Sequence, residues 1–432
     1  MATSIYQSSP LERMPLEILK NIICQLDDVR DMVNAIRACP QIWAAYKEFT
    51  TSEEPTKIAT RVLFNRLDEF NVRGAALWAH KIRSWPQMDK ADFKRTCQYA
   101  FNPPDEDNCP PLSFDSIACI NKLHDTIDRV TGSYAINVVL PSFNRQPISR
   151  PARVTKPEAG RIMRAVYNLE MYFTCCRVQL MCPLPLDQEY ISTGILPNLD
   201  HLLRKFAPWN VEQMVGVWEY LMLLVIPVFR QLEYEDLPPG WRFDGQLQFL
   251  ASETAIVPKS YTTMRHPEML LCQGLQRTEY YINQGIDIEE RRDAWSNWTR
   301  PHEDRLFRTL YHHCETRFKR PRPISDLTIY GDHSAVLVRD INDMKYWATH
   351  VQPLFYSSDL DEGQFEVWKE SYLYEVPQRA VYNFKHRSQW FHRSHGMYFW
   401  DKGRVDFVKA VMEDALRRDI FRLPFMALWH SG

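Results

Sequence analysis

Glycine is scarce, with 14 in 432 residues, whereas proline is plentiful at 28. So little glycine argues against an architecture built on phosphate-cradling loops or many tight turns, and the prolines fit helices separated by stiff connections. Neither sign of charge dominates. The formal net charge is −2, which leaves no global attraction to nucleic acid or to an acidic membrane surface. The longest apolar run, YLMLLVIPVF from Tyr220 to Phe229, is about half the ~20 residues a membrane span needs. It is expected to be a buried helix that stops or kinks at Pro227. The opening MATSIYQSSP carries neither the basic nor the apolar segment of a secretory signal. The ten cysteines lack any paired metal-binding spacing, so free thiols in a reducing compartment, cytoplasmic or nuclear, are expected. G-x-S-x-G, Walker, H-E-x-x-H and G-x-G-x-x-G motifs are all missing, and nothing nominates a nucleophile with its base.

What is present is ordinary for a globular chain: 45% hydrophobic and 25% charged residues, with aromatics at 13%. Proline-rich or polar breaks at 50–56, 102–111, 141–157, 182–187, 232–240 and 320–323 divide it without forming a long flexible tether. Between them lie helical signatures. Thr155 and Glu158 have capping-box spacing, with Pro157 tolerated in the first turn. Ile162, Val166, Leu169 and Phe173 then recur as one stripe of a 3.6-residue helix. WNVEQMVGVWEYLMLLV opens with Asn210 as a cap and Gln213 three residues on. Val405, Val408, Met412, Ala415 and Leu416 form another stripe. Strand candidates are limited to YAINVVL (134–140) and SAVLV (334–338). The expected fold class is mainly α.

The richest stretch is ERMPLEILKNIICQL, residues 12–26. Pro15 suits a first helical turn, and Glu17 complements the positive end of the helix dipole. Ile18, Leu19, Ile22, Ile23 and Leu26 span an apolar arc of about 140°, wider than the usual core-facing stripe. DVRDMVNAIRAC follows with Val29, Met32, Val33, Ile36 and Cys39 on one side, and PQIWAAYKEF with Ile42, Trp43, Tyr46 and Phe49. Three such short helices cannot stabilise themselves alone, so the surplus apolar face needs the rest of the chain or another protein.

The spacing Met14-Pro15-x-Glu17-Ile18-x3-Ile22-x3-Leu26-x4-Asp31-Met32, followed by Ala38-Cys39, resembles an F-box. The sequence departs from the usual pattern at Met14 and Met32, each standing for leucine, and at Trp43, which follows the cysteine by four residues rather than three. RAVYNLEMY (164–172), FAPWNVEQMVGVWEYL (206–221) and HGMYFWDKGRV (395–405) are similar to phrases of fungal F-box proteins with long helical C-terminal regions. The resemblance implies a small three-helix unit at 10–50, followed by a large all-α domain at 51–432. It implies a substrate receptor of a Skp–cullin ubiquitin ligase, with Met14, Pro15, Ile18, Ile22, Leu26, Met32 and Trp43 binding the Skp-type adaptor. A cullin would join through the adaptor, and an unidentified client would bind the C-terminal region. Such a chain is not itself an enzyme and takes no cofactor. The alternatives are an F-box protein acting with the adaptor outside a ligase, an α-helical enzyme with a dispersed site, or apolar residues at 18, 22 and 26 that simply pack on the body behind them.

Other chemistry is weaker. His386, His392 and His395 lack a carboxylate or cysteine at ligand spacing and are flanked by Arg387 and Arg393, which oppose a cation. His312 and His313 adjoin Cys314, which continues the apolar stripe of Leu306 and Leu310. Cys175, Cys176 and Cys182 lack a matching second pair. The basic run RFKRPRP (317–323) suits a solvated linker better than an import signal. Trp209, Trp218, Trp241, Trp295, Trp298 and Trp400 lie in or beside helical stretches, where core packing is the default.

Overall fold

Low glycine, repeated 3.6-residue stripes and capping signals favour helices, and the protein is mainly α. The computed structural model describes residues 10–52, 55–83, 112–140, 153–181, 208–235, 270–284 and 399–401, with Leu203, Phe206, Gly403 and Arg404. A short 3-10 turn at Pro10–Arg13 precedes α1 (Leu16–Cys24), α2 (Val29–Ala38), α3 (Pro40–Ser52), α4 (Pro55–Glu69) and α5 (Arg73–Arg83). Then come α6 (Phe114–Tyr134), α7 (Lys156–Met181), α8 (Pro208–Glu235) and α9 (Leu275–Gln284). No strand occurs among the described residues. The strand candidate at 334–338 and the stripe at 405–416 lie outside them.

The strand expected at 134–140 is corrected. Ala135–Val139 forms a π-helical turn that extends α6, and the Leu140 N–H donates to the Ala135 carbonyl at 2.9 Å. A strand would bury alternate residues, but Ile136 is exposed whereas Tyr134, Ala135 and Val139 are buried. A short apolar, β-branched run carries no reliable period, and the 21-residue helix before it propagates through. Asn210 likewise lies inside the first turn of α8 rather than at its cap, because the helix begins at Pro208, whose fixed φ suits that position. Nor does α8 stop at Pro227; it continues to Glu235.

The capping box at the start of α7 is present. Thr155 N–H donates to Glu158 Oε2 at 2.9 Å, and Glu158 N–H donates back to Thr155 Oγ1 at 3.3 Å. Ile162, Val166, Leu169 and Phe173 are all buried, as the stripe predicts. The stripe is only part of what α7 hides. The helix packs against α5, α6 and α8 together, and Glu158, Arg161, Tyr167, Glu170, Cys175 and Cys176 are buried as well.

Charge buried on such a helix must be paired. Arg161 Nε donates to the Phe399 carbonyl at 3.0 Å, and its guanidinium pairs with Asp401. Glu158 accepts the Asp401 N–H at 3.1 Å and the Arg404 guanidinium at 2.6 Å. These bonds seat residues 399–404 over the start of α7, with Phe399 and Trp400 buried. Farther along, Glu170 accepts the Leu275 N–H at 2.8 Å, at the start of α9, and faces Arg83 at 3.4 Å. Burial pushes its carboxyl above the usual range, while Arg83 and the Leu275 N–H pull it back. Gly274 adopts φ 97°, and a Cβ there would meet the Glu170 carboxylate at 3.1 Å, so glycine is required twice over.

Beneath α6, His124 Nδ1 lies 2.8 Å from the Tyr167 hydroxyl. Burial, with help from Arg66 and against Asp28, lowers the histidine from 6.5 to about 4. The folded chain therefore keeps His124 neutral, whereas the unfolded chain protonates it near 6.5. Stability from this group is intact above pH 6.5 and falls as pH drops from 6.5 toward 4, by at most roughly 1.4 kcal/mol per pH unit. Denaturant unfolding between pH 4.5 and 7 should show a shallower slope for His124→Gln than for the parent. Gly160 offers a second test. Gly→Ala inside a helix normally stabilises by about 1 kcal/mol. A Cβ on Gly160 would meet the Phe70 carbonyl oxygen at 2.6 Å, so Gly160→Ala should destabilise by about 1–3 kcal/mol in a thermal melt.

Candidate functional site

The three N-terminal helices form where the apolar spacing predicts. Asp28 caps α2, its Oδ1 accepting the Arg30 N–H at 2.7 Å, and α1 and α2 each pack on α3 and on α4. Their core is continuous with that of the body: Leu19, Ile23, Met32, Ile42 and Ala45 join Ile58, Val62 and Leu63 of α4 in one cluster. Polar contacts add to this joint, with Asn65 Nδ2 donating to the Cys24 carbonyl at 2.5 Å. On the arc of α1, Leu19 and Ile23 are buried in that core, and of residues 18, 22 and 26 the two partly buried ones, Ile22 and Leu26, pack against it. The arc is not consumed. Ile18 remains 46% exposed, and Ile22 and Leu26 are half-buried.

Across α2, α3 and the start of α6 runs an apolar groove of about 420 Å³, lined by Val29, Met32, Val33, Ile36, Arg37, Trp43, Tyr46 and Phe114. Its α2 wall is the face that periodicity assigns to that helix. Met32 forms the floor at 2% exposure, while Trp43 at 51% and Phe114 at 52% stand open to solvent. Trp43 and Tyr46 form a tilted ring pair with centroids 6.2 Å apart. Partial burial raises the Tyr46 hydroxyl above its ordinary value. Arg37 is the one ionisable side chain of the wall that carries charge at neutral pH. The groove is thus suited to receiving apolar side chains.

Of the seven residues the resemblance assigns to an adaptor, the groove brings together Met32 and Trp43. Met14, Pro15, Ile18, Ile22 and Leu26 lie outside its lining, on or beside α1. Met32 is a core residue first and a surface residue barely at all. Phe114 escaped the sequence reading because it lies far along the chain, and a single phenylalanine at a helix start has no periodic signature.

Among the described residues, no group of three His, Cys, Asp or Glu side chains could hold a metal ion. Cys175 and Cys176 are buried thiols, and burial raises the Cys176 thiol well above its ordinary value. Trp209, Trp218 and Trp400 are buried in the core. The histidines at 312, 313, 386, 392 and 395, with Cys182, Cys314, the basic run 317–323 and the tryptophans at 241, 295 and 298, lie outside the described residues. No helix among the described residues is long and apolar enough to cross a membrane. No family model, curated protein or solved structure matches the chain.

The burial pattern separates floor from rim. Met32→Ala should cost about 2–5 kcal/mol, the range for a buried methionine. Trp43→Ala should cost less than Met32→Ala, because about half of the Trp43 side chain already lies in water. Urea denaturation of the two variants checks both.

Proposed function

We propose that residues 10–50 bind a Skp-type adaptor in the manner of an F-box, and that the protein is a substrate receptor of a Skp–cullin ubiquitin ligase acting in the cytoplasm or nucleus. The observation that carries this reading is uncovered apolar surface on three short helices in the F-box-like register, with Ile18 46% and Trp43 51% exposed. Isolated large apolar residues are common on protein surfaces, but here they accompany a groove and a resemblance in spacing. Binding would be helix against helix, driven by apolar burial. The chain itself would perform no chemistry, the conjugating enzyme supplying it, and residues 51–432 would present the client.

Titration of the full chain with a purified Skp-type adaptor tests the proposal. The parent should bind. Ile18→Glu should weaken binding at least about tenfold, or ~1.4 kcal/mol, with only a small change in the melt because nearly half of the side chain already lies in water. No binding by the parent, or equal affinity of the variant, would refute the adaptor role. Recovery of a cullin with the complex distinguishes a ligase subunit from a protein that uses the adaptor elsewhere.

A further inference from the structure

The groove crosses a joint. Five of its lining residues (Val29, Met32, Val33, Ile36 and Arg37) come from α2, and Phe114 comes from α6. Apolar packing anchors α2 thinly, since Met32 is its one fully buried side chain and Val29, Val33 and Ile36 are half-buried. Its polar anchorage is concentrated at one end. Arg66 of α4, 17% exposed in its side chain, reaches Asp28 Oδ2 at 3.0 Å, Asp125 Oδ1 at 2.8 Å and Asn121 Oδ1 at 3.0 Å. Asn121 Nδ2 donates to Asp28 Oδ1 at 3.4 Å, and Arg30 of α2 pairs with Asp125 of α6. Two cations and two carboxylates thus balance around the start of α2.

We propose that α2 is a hinged wall of this groove and that Arg66 is the positioning residue that latches it shut against α6. Without the Arg66 guanidinium, Asp28 and Asp125 face one another with Arg30 alone to balance them. Their repulsion acts on the first turn of α2, where Val29 is only half-buried. The wall then swings from Phe114, the groove widens, and Met32 is uncovered. The body keeps its shape, because α7 is enclosed by α5, α6 and α8. This inference rests on the groove's geometry and stands whether or not an adaptor binds there.

The test uses the full chain and the variant Arg66→Met, which removes the charge and keeps most of the stem. Hydrogen exchange should accelerate at α2 amides 29–38 by about tenfold or more, as for a local opening, with the amides of α7 unchanged. Dilute hydrogen peroxide gives a second readout, converting each reachable thioether to sulfoxide and itself to water. Met32 should oxidise several-fold faster in the variant, while the buried Met163 and Met214 keep their parent rates. Unchanged α2 exchange and Met32 oxidation would overturn the proposal. Equal acceleration at α2 and α7 would also overturn it, because Arg66 would then support the whole fold. Should Arg66→Met fail to fold, Arg30→Gln decides, since that side chain is 63% exposed. It should show the same pattern at a smaller factor, and parent-like rates at Met32 would sink the latch.

Discussion

A helix packed on three sides leaves little room to place a charge in water, and α7 is such a helix. Its buried charges, Glu158, Arg161 and Glu170, must find partners inside the protein, and they find them far away in sequence. Arg161 takes the Phe399 carbonyl and Asp401, Glu158 takes Arg404 and the Asp401 amide, and Glu170 takes the Leu275 amide at the head of α9. Leaving any of these buried charges unpartnered would cost about 3–5 kcal/mol, a large share of the 5–15 kcal/mol that holds a typical domain together. The polar bonds therefore specify which remote segment may lie against α7, whereas the apolar stripe supplies only the general tendency to be buried. Gly160 and Gly274 follow from the same enclosure, since each lets a neighbour approach a side of α7 more closely than a Cβ permits.

The N-terminal helices obey a different rule. Their buried members share the core of α4, and their charges meet around Arg66 rather than in α7. Residues such as Ile18 and Trp43 are left over because three short helices cannot turn every apolar side chain inward and still pack on one another. The unit is attached to the body and incompletely covered at once, which is the physical condition for a surface that can bind something without unfolding.

Much of this was legible in the sequence, for identifiable reasons. Thr155 and Glu158 announce a helix start because a capping box is a local device, complete within four residues. The faces of α1 to α3 could be drawn because each is short, amphipathic and bounded by proline or aspartate. At α7 the periodic reading found Ile162, Val166, Leu169 and Phe173 but not the burial of Glu158, Arg161 and Glu170, since charged residues count as surface until their partners are known. Those partners lie up to 246 positions away, beyond any local rule. The error at Tyr134–Leu140 has the opposite origin. There a local preference for strand was overruled by the helix already running into it and by burial of Tyr134 against Tyr220 and Phe399. The groove was half visible: its α2 wall could be read from spacing, and Phe114 could not.

The bonds between the start of α7 and residues 399–404 also bear on how the protein is made. Arg161 emerges from the ribosome 240 residues before Asp401. At roughly 5–20 residues per second, synthesis of the intervening chain takes on the order of tens of seconds. During that interval the head of α7 carries Glu158 and Arg161 without their long-range partners, so it cannot be closed off from water at native cost. A nascent chain or a truncated product ending before Phe399 presents that unfinished end to chaperones and proteases. The ion pairs at the head of α7 can therefore form only once synthesis has passed Arg404.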